Sequence, residues 1–214
     1  MADPDAEAVG SWRRLAEGFE YLRGRRVLRS TFVVDLVAMV FGMPRALFPV
    51  LAVTQFAGGA EIVGVLVSAV SVGALVGALT TGWVHRVRRQ GLAIIVAVTV
   101  WGAAIAGFGL VGDRLVAACM FLAVAGGADV VSAVFRSTIL QATVPDALRG
   151  RLSGIHITVV AGGPRIGDVE AGLVATVFSP TVSVVSGGLL CVLGVGALAL
   201  FVPEFARYRA GDPA

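Results

Sequence analysis

Apolar residues fall into six long runs separated by short polar links. The first extends from about Val27 to Val53 and is broken by Gly42-Met43-Pro44. The others cover about Ile62 to Trp83, Leu92 to Val111, Leu115 to Phe135, Leu152 to Phe178 and Val182 to Val202. Each meets the roughly 20 residues that one helical crossing of a bilayer needs. None alternates apolar and polar positions, which excludes a closed β-barrel. The pattern predicts an all-α integral membrane protein, a six-helix transmembrane bundle over 27–203 with a tail over 204–214. Ahead of the first run, Trp12, Leu15, Phe19 and Leu22 share one helical face. With Arg13, Arg14, Glu17 and Glu20 on much of the rest, residues 1–26 read as a cytoplasmic segment with an amphipathic helix. That helix either lies on an anionic leaflet or is an ordinary solvated linker.

Composition agrees with the runs. Of 214 residues, 57% are hydrophobic and 14% charged, where a soluble domain carries about 25% charged. An ordinary soluble enzyme, a disordered chain and a fibrous repeat are excluded. Met1 to Gly10 holds Asp3, Asp5 and Glu7 and no apolar core, unlike a secretory signal. Cys119 and Cys191 each sit inside an apolar run and read as small buried side chains. With no Cys/His cluster, the pattern offers no metal site.

All 17 basic residues are arginine. A pI near 9.5 would suit nucleic acid, but no basic face or aromatic platform accompanies it. The arginines sit instead in alternate links. Fourteen fall on one side of the predicted bundle, including Arg86, Arg88 and Arg89, and only Arg114 on the other. The positive-inside rule then sets both termini in the cytoplasm of a multi-pass cell-membrane protein.

Two pairs of small residues at a spacing of four, Gly73 with Gly77 and Gly163 with Gly167, are candidate surfaces for close helix packing. Ionisable residues inside the runs carry the functional signal, because each costs about 2.5–3.5 kcal/mol at the centre of an inserting helix. They are Asp35, Arg45, Asp129, Arg165, Asp168 and Glu170. Arg165 and Asp168 are three residues apart and can pair, while Glu170 is turned away from Asp168. Pro164 and its glycine neighbours predict a bent fifth helix lining a polar cavity. Asp35 and Arg45 are too far apart along the helix to pair with each other, so each needs a partner elsewhere. Asp129 is either a site residue or a hydrogen-bonded packing residue beside Gly126 and Gly127. His156, near the end of the fifth run, reads as an interface residue or a proton shuttle. Ser153 and His156 on one helix do not make a nucleophile–base pair, and an enzyme is not expected.

Three segments carry a family resemblance: Asp35-Leu-Val-Ala-Met-Val-Phe-Gly-Met-Pro-Arg45, Thr138-Ile-Leu-Gln-Ala-Thr-Val-Pro-Asp-Ala-Leu-Arg-Gly-Arg-Leu-Ser-Gly154 and Gly163-Pro-Arg-Ile-Gly-Asp-Val-Glu-Ala-Gly172. From Trp12 onward the chain resembles the C-terminal six-helix half of a major facilitator superfamily transporter, in the enterobactin-exporter-like branch of drug and siderophore efflux proteins. The link Gly82-Trp-Val-His-Arg-Val-Arg-Arg-Gln-Gly91 resembles a decayed copy of the superfamily's G-x-x-x-D-R-x-G-R-R loop, with the acidic residue missing. The resemblance implies two inverted three-helix repeats. It also implies proton-coupled export of a siderophore or other amphipathic small molecule, with the six ionisable residues as substrate or proton-coupling candidates and no cofactor. A full member has two such halves, so Met1 is an internal start or the reading frame is truncated. The expected partners are the bilayer, the substrate, protons, and a separate N-terminal half or a second copy of the chain. The alternatives are a non-transporting remnant and a homo-oligomeric membrane module.

Overall fold

The computed structural model describes residues 22–211, and these are helical with short links. The helices are α1 (Arg26–Phe41), α2 (Phe48–Thr54), α3 (Ala60–Thr80), α4 (Gln90–Leu110), α5 (Leu115–Thr143), α6 (Asp146–Val177), α7 (Pro180–Phe201) and α8 (Pro203–Arg207). Short 3₁₀ helices cover Arg45–Leu47 and Thr81–Arg86. The amphipathic helix expected over Ser11 to Arg26 falls mostly outside the described residues.

Five segments are long and apolar enough to cross a membrane: Arg26–Thr54, Ala60–Arg86, Gln90–Leu110, Leu115–Thr143 and Pro180–Phe201. The first contains the expected break. α1 stops at Phe41, and the chain turns through Gly42, Met43 and Pro44 before α2 resumes the crossing. The remaining long helix, α6, has 32 residues, about 48 Å at the helical rise, but Arg165, Asp168 and Glu170 make it less apolar than its neighbours. It stays helical through Pro164.

Lipid offers no partner for the backbone, so the helices satisfy their own hydrogen bonds. Ser71, Thr99 and Thr138 follow suit, each hydroxyl donating to the carbonyl four residues earlier. At the start of α7, Ser179 accepts from the Val182 N–H at 3.1 Å and Pro180 occupies the first turn.

Packing follows one scheme. α5 lies between α3 and α4, and α4 lies between α5 and α7. On the other side, α1 packs against α6 and α7. Exchanging the first three long helices (α1 with α2, α3 and α4) for the last three (α5, α6 and α7) maps most of these pairs onto each other. The exception is that α6 packs on α7, whereas α3 and α4 hardly touch.

Small residues set the closest crossings. A Cβ on Gly73 would run into the Ala123 backbone, and one on Gly77 would sit 2.9 Å from the Gly127 carbonyl oxygen. A Cβ on Gly163 would lie 2.9 Å from Met39 Cβ, and one on Gly167 2.6 Å from the Val40 carbonyl oxygen. Gly102 and Gly188 do the same between α4 and α7. Leu28, Val34, Leu66, Ile94, Leu122, Phe135 and Leu152 form part of the buried core. Cys191 is buried, Cys119 is half-buried, and both are free thiols.

Candidate functional site

A cluster of ionisable side chains joins α1, α5 and α6. Arg136 on α5 is 5% exposed, and its Nη1 lies 2.8 Å from Oδ1 of Asp35 on α1, which is fully buried. Nη2 of the same guanidinium is 3.8 Å from Oδ1 of Asp129. On the other side of Asp35, Oδ2 is 3.6 Å from Nδ1 of His156 on α6. The His156 ring meets Phe32 edge-on, with centroids 5.9 Å apart.

Local helix geometry explains the arrangement. Asp129 and Arg136 are seven residues apart, which returns them to one face of α5. Long side chains on a helix lean toward its N-terminus, so Arg136 reaches back along the face that carries Asp129. Asp35 is nine residues into α1, Arg136 seven from the end of α5 and His156 ten into α6. At the helical rise all three lie about 10–15 Å from the same end of the bundle.

The cluster is close but not saturated. The 2.8 Å Arg136–Asp35 approach is an ion pair whose angles are not those of a hydrogen bond, so both carboxylate oxygens still have accepting capacity. Ser132 Oγ and Arg136 Nε, both buried, also lack partners among the described residues. A buried charge network with unused hydrogen-bonding capacity is a place where a substrate or a proton can act.

Two small cavities flank it. One, of about 20 Å³, is lined by both Arg45 and Asp129 together with Gly42 and Pro44 from the break after α1. The other, of about 10 Å³, touches Arg136 and His156. The break after α1 thus turns Arg45 toward the side of α5 that carries Asp129.

Two sequence expectations need correction. Ending the fourth apolar run at Phe135 puts Arg136 in a cytoplasmic link. In the structure α5 continues to Thr143, since nothing in Ser137 to Thr143 stops a helix before Val144-Pro145, and Arg136 is buried within it. Arg165 and Asp168 do not form the expected ion pair among the described residues. Gly163 and Gly167 turn their face of α6 onto α1, so Arg165, about 200° from either, projects outward and is exposed. Asp168 and Glu170 are half-buried on the flanks of the same helix. α6 begins at Asp146, ahead of the apolar run that starts at about Leu152, and Arg165 lies within about 5 Å of its midpoint. Arg136 and Ser132 are the site residues that sequence reasoning misses. An arginine at the end of an apolar run looks like a loop anchor, and only its partner on α1 reveals otherwise.

Arg86 ends the Thr81–Arg86 3₁₀ helix, Arg88 and Arg89 lie between it and α4, and all three are exposed. No group of His, Cys, Asp and Glu suited to a metal ion occurs among the described residues. The side chains of Arg149 and Arg151 lie outside what the structure describes.

Comparison with known proteins gives this arrangement a context. A family model described as transmembrane secretion effector matches residues 9–210. The chain is 32% identical over 195 residues to the enterobactin exporter EntS of Citrobacter koseri, covering 88% of this chain and 46% of that protein. It is 31% identical over 199 residues to EntS of Shigella boydii and of Escherichia coli, covering 90% of this chain and 47% of each. The chain therefore spans about half the length of these curated relatives. No solved structure matches it. An all-helical membrane chain, matched by the family model over nearly its whole length, belongs to the transmembrane secretion effector family of the major facilitator superfamily.

Proposed function

We propose that this chain forms the C-terminal six-helix half of a secondary efflux transporter. α6 is its fifth crossing, the bundle is built as two inverted three-helix repeats, and both termini lie in the cytoplasm. The repeat reading is supported by the exchange symmetry of the helix pairs, and the orientation by the one-sided arginines. The buried Asp35–Arg136 pair, with His156 and Asp129 within reach, is the observation that carries the functional reading. A proton arriving at Asp35 removes the counter-charge of Arg136. The guanidinium then engages Asp129, two turns away on its own helix, and leaves the protonated Asp35 and its neighbour His156 available to the transport path. Arg45 adds a cation beside Asp129.

A midplane site in this kind of transporter lies between two bundles. Arg165 on the open side of α6 is then positioned to meet the second bundle or the substrate, with Asp168 and Glu170 half-buried on the flanks. The relatives are named for enterobactin export, and we assign a siderophore or similar amphipathic molecule as substrate, with protons as the coupling ion.

The test is made in the native cell under iron limitation. Replacing the chromosomal copy by Asp129→Asn or Glu170→Gln should retain siderophore inside the cell, with membrane levels of the chain unchanged on an immunoblot. Unchanged secretion in both variants and in a deletion would remove export from the account.

A further inference from the structure

The helix pairing contains an asymmetry that the transport reading does not use. α6 and α7 pack on each other, but their counterparts α3 and α4 do not. Both lie on α5 instead, and a furrow of about 770 Å³ remains between them. Its walls are apolar, with Val76 on α3, Val96 on α4 and Val124 on α5. Arg89 and Trp83 stand at one mouth. Trp83 is 44% exposed and leans on Phe135, with ring centroids 6.0 Å apart.

The dimensions and the charge select an occupant. Along α5 the furrow runs from Ala123 to Phe135, about 18 Å at the helical rise. One leaflet of a roughly 30 Å hydrocarbon core is about 15 Å deep. The mouth carries an interfacial tryptophan and Arg89, and Arg86 and Arg88, close by in sequence, are exposed as Arg89 is. None of the three is in an ion pair among the described residues, and no acidic residue lines the furrow. An outside anion is left to balance the guanidinium groups, and a guanidinium binds a phosphate oxygen in a two-pronged geometry.

We infer that the furrow between α3 and α4 is a binding site for one anionic phospholipid, its phosphate held by Arg86, Arg88 and Arg89 and an acyl chain lying along α5. Trp83 then touches the acyl chain near its headgroup end.

That contact supplies the assay. The full chain is placed in phosphatidylcholine nanodiscs doped with phosphatidylglycerol carrying brominated acyl chains. Tryptophan quenching is read as the difference from a Trp83→Phe chain. The expected result is a saturable phase equivalent to one lipid per chain. Phosphatidylglycerol should be preferred over equally brominated phosphatidylcholine by at least about fivefold, the effect of roughly one engaged arginine. Arg86→Gln/Arg88→Gln/Arg89→Gln should bring the preference close to one while quenching by phosphatidylcholine persists. Val96→Phe/Val124→Phe should abolish the saturable phase for both lipids, and the helical circular dichroism of each variant checks its fold. Glycerol phosphate without acyl chains should displace nothing. Non-saturable quenching, or a preference unchanged by the arginine substitutions, overturns the site. Displacement by glycerol phosphate reduces it to a surface anion site and also overturns it.

Discussion

Arg136 on α5 and Asp35 on α1 approach to 2.8 Å, both buried, and tie the two helices together by an ion pair. Removing one partner strands the other. We predict that Asp35→Asn destabilises the chain by about 3–5 kcal/mol, the range for breaking a buried pair. Asp35→Asn/Arg136→Gln should cost less than the sum of the two single substitutions. Unfolding of the detergent-solubilised chain, carried through a double-mutant cycle, measures the coupling. Strict additivity would mean that the pair contributes nothing as a pair.

A second ion pair offers a contrast. Arg26 Nη1 lies 3.1 Å from Glu204 Oε1, joining α1 to α8, but the two side chains are 70% and 54% exposed. Water and salt screen such a contact. Glu204→Gln should change stability by less than about 1 kcal/mol, and raising the ionic strength should erase even that difference. A loss as large as that of Asp35→Asn would show that α8 is held mainly by this bridge.

Glycine on α3 separates packing from propensity. A Cβ added to Gly64 would meet nothing within 4 Å, whereas the same atom on Gly73 collides with the Ala123 backbone of α5. Gly64→Ala should leave the melting temperature unchanged or slightly raised, since alanine is the better helix former. Gly73→Ala must push α3 away from α5, and overpacking of this kind typically costs about 1–3 kcal/mol. Thermal melts followed by size-exclusion chromatography compare the two directly. Equal behaviour would mean that the α3–α5 crossing is looser than its backbone spacing indicates.

The long elements are legible in the sequence because each apolar run is bounded by residues with a local reason to end it. Gly42-Met43-Pro44 breaks the first crossing, and Ser179-Pro180 starts α7, where the hydroxyl caps the first turn. The ion cluster is only half legible. Asp35 and Asp129 stand out as carboxylates in apolar surroundings, but Arg136 follows Phe135 at the end of a run and looks like a loop anchor. Its burial depends on Asp35, about a hundred residues earlier in the chain, and no local pattern encodes that contact. Arg165 and Asp168 fail in the opposite way. Their spacing favours a pair, but the glycines at 163 and 167 decide which face of α6 meets α1 and turn Arg165 outward.

The charged stretch of α6 also makes its path across the membrane the best target for a topology test. If α6 crosses, Phe178 lies on the same side as Glu61, and Gly211 lies with Arg88. If it does not cross, Phe178 joins Arg88 and Gly211 changes side. Single cysteines at these four positions, in a Cys119→Ser/Cys191→Ala background, distinguish the two paths by their reaction with a membrane-impermeant maleimide in intact cells. Phe178 is 72% exposed and ends the helix, so labelling there disturbs little packing. We expect Glu61→Cys and Phe178→Cys to label from outside, and Arg88→Cys and Gly211→Cys to label only after lysis. The physical reason is the arginine bias of the links, because translocating the strongly basic side costs more than translocating the side with one arginine. Labelling of Gly211→Cys from outside would reduce the bundle to five crossings and leave Arg165, Asp168 and Glu170 on a helix that does not span.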